Sequence, residues 1–127
     1  MPLVRIDLAI GTAVEYRTAI GDVVYDAMHS TLNVPANDRF EIIAEHQLDG
    51  FIVDRSFLGI KRSDATIIIQ ITLNDGRTVD VKRNFYKAVA SGLVERLKIR
   101  PQDVIINLVE VRPENWSFGN GEAPFAK

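Results

Sequence analysis

The sequence is one unit written twice. Ile6 and Ile71, Gly11 and Gly76, and Asp38 and Asp103 each stand 65 residues apart, and Pro35 and Pro101 stand 66 apart. Self-similarity at a fixed spacing means that each unit is a supersecondary structure whose apolar face is buried against its copy. The identity of that unit therefore limits the fold more than any other feature.

Each unit reads strand, helix, strand. From Pro2 to Leu8, β-branched and leucine residues alternate with Arg5 and Asp7, the period-two pattern of a strand. Ile10-Gly11-Thr12 breaks it, and Thr12 three residues before Glu15 reads as a capping box. Tyr16, Ile20, Val23, Val24, Ala27, Met28 and Leu32 then recur at helical spacing along one stripe. Pro35 stops that helix, and Arg39 to Glu45 is the second strand. In the second unit, Ala65 to Leu73 is apolar enough for a strand buried on both faces. After the Asn74-Asp75-Gly76 turn and Thr78 comes a helix with Val81, Phe85, Ala88, Val89, Leu93 and Leu97 on its stripe. Pro101 stops it, and Val104 to Val111 is the fourth strand.

Right-handed βαβ crossovers place both helices on one face of a four-stranded sheet. The fold class is α+β, built from tandem βαβ repeats. Residues 1–127 form a single domain: a first repeat at about 2–46, a link at 47–64, a second repeat at about 65–111 and an aromatic tail at 112–127. The opposite sheet face has nothing to cover it, and an apolar uncovered face with exposed edges invites association.

Composition excludes several classes of function. At 127 residues, with 46% hydrophobic and 25% charged residues, the chain has material for one ordinary core. The net charge of −2 is spread through the sequence, so no basic face for nucleic-acid phosphates is expected. Arg96-Leu97-Lys98-Ile99-Arg100 sits beside Glu95 and Asp103 and reads as a solvated helix end. With no cysteine, disulfides, thiolate catalysis and zinc–cysteine sites are ruled out. His29 and His46 lie on different elements without metal-ligand spacing, so no metal is expected. No signal peptide pattern opens the chain, and its most apolar window is far below the roughly 20 residues of a membrane span. A cytoplasmic location is expected, without a membrane partner.

Candidate chemistry begins at Pro2. If Met1 is removed, the proline nitrogen becomes a secondary amine, and a free α-amino group titrates at about 7.7–8.0, close to working pH. On its own, Met-Pro is far more often simply how a chain begins, with a proline suited to the first residue of a strand. Asp38 alone reads as a turn or strand-start residue. Arg77, at the start of the second helix, faces an end that favours anions. It either builds a carboxylate pocket with helix-end N–H groups or pairs with Asp75 or Asp80 on the surface. Trp116 and Phe118 are core or interface aromatics by default, and Gly119-Asn120-Gly121 is a turn.

The N-terminal strand that opens on Pro2, followed by Asn37-Asp38-Arg39-Phe40, Leu58-Gly59, Arg62-Ser63, Gly76-Arg77-Thr78 and Asn115-Trp116-Ser117-Phe118-Gly119, resembles the malonate semialdehyde decarboxylase branch of the tautomerase superfamily. The resemblance implies a tautomerase-like homotrimer in which three four-stranded sheets line a central barrel, with one active site per subunit and no cofactor. Carried to this chain, it makes Pro2 the acid–base amine, Asp38 the carboxylate beside it and Arg77 the clamp on a substrate carboxylate. Trp116, Phe118 and Phe125 form the apolar wall. One departure is visible: the decarboxylase pattern has two arginines around the turn before the second helix, and here that turn holds Arg77 alone. The expected function is therefore acid–base chemistry by the N-terminal proline on a small 2- or 3-oxo acid or enol, as tautomerisation or as decarboxylation or hydration. The alternative is a catalytically silent trimeric binding or scaffold protein whose proline stays blocked by Met1.

Overall fold

The structure is a computed structural model that describes residues 1–126. The elements run β1 (Leu3–Ala9), α1 (Val14–Thr31), β2 (Glu41–His46), β3 (Ile67–Asn74), α2 (Val79–Leu97) and β4 (Val104–Val111). Short 3₁₀ turns at Leu48–Gly50, Phe57–Gly59, Pro101–Asp103 and Pro113–Asn115 lie between and after them. The sheet order is β2-β1-β3-β4, with β1–β2 and β3–β4 parallel and β1–β3 antiparallel.

The duplication survives in three dimensions. The pair Val4–Ile71, shifted by 65 residues, becomes Ile6–Ile69, and both belong to the β1–β3 register, so a pseudo-dyad passes between these two strands. The ion pairs obey it too: Arg17–Glu45 at 3.2 Å and Lys82–Glu110 at 2.8 Å are mates. So are Gly11 and Gly76, whose φ of 106° and 114° turn the chain from strand to helix in a region L side chains rarely enter.

Both helices lie on one face. Val4, Ile6 and Leu8 of β1 and Ile67, Ile69, Ile71 and Leu73 of β3 are buried against Ile20, Val24 and Met28 of α1 and Phe85, Val89 and Leu93 of α2. These three helical pairs are again 65 apart. The helices pack so closely that a Cβ on Gly92 would lie 2.7 Å from Val23 Cγ1. β3 departs from the expectation of burial on both faces. Ile68 is only half-buried and Gln70 is exposed, its amide donating to Asn107 Oδ1 at 3.0 Å. The run of isoleucines carries no information about which side the helices cover. Arg5, Asp7 and His46 share the open face, with His46 Nε2 2.6 Å from Asp7 Oδ1, so that face is mixed rather than wholly apolar.

Local signals hold where nothing competes with them. Thr78 caps α2 by accepting from the Val81 amide at 3.2 Å. The Thr12–Glu15 capping box does not form: α1 is capped by Ala13 without a side-chain bond. Thr12 instead donates its hydroxyl and amide to Glu45 Oε2, at 2.8 and 3.2 Å, an ionised acceptor that binds more strongly than a neutral partner would. β2 begins at Glu41, two residues later than expected, and the Arg39 side chain ahead of it pairs with Asp22 and Glu41, both at 2.8 Å. No helix among the described residues is long and apolar enough to cross a membrane.

Asp103 is a buried carboxylate at the entry to β4. It accepts from the Ser63 amide (2.8 Å), the Ser63 hydroxyl (2.7 Å) and the Thr66 hydroxyl (3.3 Å), and Arg100 lies at 3.4 Å. Burial alone would raise its pKa, but the Ser63 bonds, Arg100 and Thr66 outweigh burial and hold the carboxyl below its ordinary value. A carboxyl depressed in the folded state adds stability above its unfolded pKa, near 3.9, and loses that contribution as pH falls through the folded value. Asp103→Ala is expected to cost about 2–3 kcal/mol at pH 7 by stranding buried donors. Urea unfolding followed down to pH 3 should show a flatter acid limb for the variant than for the wild type.

Candidate active site

The strand order sends four sequence-distant segments to one end of the sheet. Antiparallel pairing of Leu3 with Thr72 sets the start of β1 beside the end of β3, and with it the turn into α2. Parallel pairing of Val4 with Glu41 brings the start of β2, and the Asp38 segment before it, to the same end. The Val4 amide donates to the Phe40 carbonyl at 2.9 Å and locks this entry. Parallel pairing of Asn74 with Val111 delivers the tail.

Pro2 is buried, and the Met1 amino nitrogen ahead of it lies 3.9 Å from Asp38 Oδ2, with both side chains largely shielded from solvent. The second repeat shows what this position does when the chain runs on. Asp103, the mate of Asp38, grips Ser63 and Thr66, and the mate of Thr66 is Met1. A carboxylate at the strand entrance is thus part of the duplicated framework, and in the first repeat it faces an amino terminus.

Arg77 is half-buried and pairs with neither Asp75 nor Asp80; Asp80 instead meets Arg83 at 3.5 Å. Its guanidinium donates to the Asn74 carbonyl (3.2 Å) and to the carbonyl of Leu32, the residue that closes α1 (3.0 Å). A cation there meets the negative end of α1, which answers the objection that it stands at the start of α2. Two contacts leave N–H groups of the five-donor fork for an anion. Nearby, the hydrogen bond from Lys82, aided by Lys82's charge, the Gly76 amide and Arg77, outweighs desolvation and keeps the Glu110 carboxyl below its usual range.

The tail aromatics form a continuous stack. Trp116 and Phe118 lie 5.5 Å apart, 19° from parallel, and Phe118 meets Phe125 edge-on at 5.5 Å. The Trp116 indole donates to Asn74 Oδ1 at 2.8 Å, tying the tail to the end of β3. Met1, Asn74, Pro113, Pro124, Phe125 and Ala126 line a cavity of about 480 Å³. Pro113 and Phe125 also border a second hollow of about 360 Å³ with Asp75, Arg112 and Glu114.

The structure therefore brings Pro2, Asp38, Arg77, Trp116 and Phe125 to one end of the sheet, with Phe118 between Trp116 and Phe125 in the stack. Sequence reasoning treated Asn74 as a turn residue, yet its side chain accepts from the Trp116 indole, its backbone carbonyl accepts from Arg77, and it lines one cavity with Met1. No local signal marks that role, because Met1 and Trp116 come from distant segments. His29 and His46 are engaged elsewhere, with the Val34 carbonyl and Asp7.

Comparisons with known proteins show the family and the fold. Two family models, both described as tautomerase enzyme, match residues 38–119 and 2–61. Probable tautomerase YusQ of Bacillus subtilis (strain 168) is 34% identical over 123 residues, covering 97% of each chain. A malonate semialdehyde decarboxylase inhibited by 3-bromopropiolate superposes with a TM-score of 0.90 at 36% identity, covering 97% of this chain and 93% of that one. A fused 4-OT symmetric trimer shares the fold, with a TM-score of 0.77, 21% identity and 94% of each chain covered.

Because Arg77 holds the end of α1 to the β3–α2 turn, Arg77→Ala is expected to lower stability by about 1–3 kcal/mol with no ligand present. Urea unfolding of the free protein measures this, and an arginine serving only a substrate would leave the midpoint unmoved.

Proposed function

The chain belongs to the tautomerase family, and from that premise we propose that its active form lacks Met1 and uses the Pro2 nitrogen as acid–base catalyst on a small 2- or 3-oxo acid or its enol. The observation that carries this reading is the 3.9 Å approach of the terminal nitrogen to Asp38 Oδ2 beside a cavity that Met1 itself lines. Removing Met1 frees the nitrogen of a buried proline as a neutral or protonated secondary amine and enlarges the cavity at the same stroke. Neutral Pro2 takes a proton from the carbon next to the oxo group, the electron pair moves onto the oxo oxygen, and the proton is returned to the far end of the enolate. Asp38 orients and stabilises the protonated nitrogen. The N–H groups that Arg77 keeps spare hold the carboxylate, and Trp116, Phe118 and Phe125 exclude water, which strengthens every charge interaction in the cavity.

Decarboxylation is the second reading, favoured by the 36% identity to a malonate semialdehyde decarboxylase. In that case protonated Pro2 with Asp38 polarises the β-carbonyl while Arg77 and the aromatics hold the carboxylate out of conjugation. The single arginine of the turn places tautomerisation first. Neither reaction needs a metal or an organic cofactor.

The active assembly in this proposal is a homotrimer with the open sheet faces turned inward. Ile42 and Val109 stand 45% and 38% exposed on that face, and Phe118 and Phe125 of the tail are also exposed, so apolar surface remains to be covered. The trimeric state of the fused 4-OT neighbour is in keeping with it.

Intact mass of the protein purified from cells should be short by one methionine, and its solution mass should be three times the 14.2 kDa chain. Pro2→Ala should lower kcat on phenylenolpyruvate or a similar enol at least about 100-fold. A Pro2→Ala variant with the wild-type rate, or a retained Met1, removes the catalytic assignment and leaves the scaffold reading.

A further inference from the structure

The geometry points to Asn74 as a further catalytic residue, whose side-chain NH₂ hydrogen-bonds the oxo oxygen of the substrate and holds the negative charge that develops there. This deepens the reading of the site given above and rests on it.

The orientation of the Asn74 carboxamide is settled by chemistry. An indole N–H can only donate, so the atom that meets Trp116 Nε1 at 2.8 Å must be the oxygen. The NH₂ then occupies the other branch of the planar amide. It has no hydrogen-bond partner among the described residues, while Asn74 is half-buried and lines the 480 Å³ cavity with Met1 and Phe125. A donor whose acceptor branch is pinned and whose donor branch is unspent is preorganised for a carbonyl oxygen, the property that makes such groups effective when charge develops. Arg77 donates to the backbone carbonyl of this same residue at 3.2 Å, so the cation and the amide belong to one braced turn. A 2-oxo acid carries its carboxylate and oxo oxygen on adjacent carbons, and here a cation and a neutral donor are carried by one turn.

The duplicated half provides an internal control. The mates of Asn74, Arg77 and Trp116 are Ala9, Thr12 and Phe51. At the corresponding end of the first repeat, Ala9, Gly11, Thr12 and Tyr16 border a hollow of about 230 Å³, and Thr12 is spent on Glu45. The framework therefore folds without an amide or a guanidinium at these places. Both occur at the end where the amino terminus lies and are missing from its mate.

In the catalysed step the proton passes from carbon to the Pro2 nitrogen, the electron pair settles on the oxo oxygen, and the Asn74 N–H donates to that oxygen. Asn74→Asp keeps an acceptor for the indole and deletes the donor, so it should fold with a wild-type melting temperature. Its kcat is expected to fall about 100-fold, as removing one donor from an oxyanion site does. Asn74→Ala, which adds no charge beside Arg77, should lose kcat to a similar extent. A rise in KM alone in Asn74→Asp, with full kcat in Asn74→Ala, would overturn the assignment and leave Asn74 as a brace for Trp116. If Pro2→Ala also kept the full rate, the fault would lie with the proline reading itself, and Asn74 would fall with it.

Discussion

Antiparallel pairing of β1 with β3 is the constraint from which the remaining architecture follows. Its register, Val4 with Ile71 and Ile6 with Ile69, turns two βαβ units into one sheet and directs the buried side chains of both strands to the same face. A slip of one residue would exchange Val4, Ile6 and Leu8 for Leu3, Arg5 and Asp7 against the helices, placing two charges in the core. The same pairing sets the beginning of one unit against the end of the strand that opens the other. The site is thus built at a seam between repeats, and no residue inside a single βαβ unit could assemble it.

The two ends of this pseudo-symmetric sheet have diverged while the scaffold has not. Each has a glycine turn with positive φ, a basic residue paired with a glutamate, a 3₁₀ turn after the outer strand and a carboxylate at a strand entrance. At one end the carboxylate, Asp103, is consumed by Ser63, Thr66 and Arg100, and Phe51 stacks on His46 at 5.6 Å. At the other, Asp38 faces the terminal nitrogen, Arg77 replaces a threonine, and Trp116 reaches across to Asn74. Each repeat has a hollow at its own end of the sheet.

Much of the fold was legible because it depends on periodicity. The stripes from Ile20 to Met28 and from Phe85 to Leu93, the helix-ending prolines and the 65-residue offset are properties of linear order, and the core is built from them. Thr12 shows where such reading stops. Its spacing to Glu15 describes a cap, but an ionised glutamate 33 residues away is the better acceptor and takes both donors. The isoleucines of β3 show another limit, since an apolar run is compatible with one covered face or two, and within the single chain crossover geometry covers only one.

For the site, Pro2, Asp38, Arg77 and the aromatics were reachable from the sequence through residue type, order and resemblance. What the linear chain determined was a pair of βαβ units and the chemical groups at their ends, because hydrophobic period and residue identity are local quantities. Only the tertiary structure decided which groups meet: that Arg77 braces the end of α1 rather than an aspartate, and that Asn74 holds the indole and lines a cavity with Met1. The physical reason is that a hydrogen bond depends on distance and direction in space, and strand order and register, not sequence separation, bring residues 1, 38, 74, 77 and 116 to one end of the sheet.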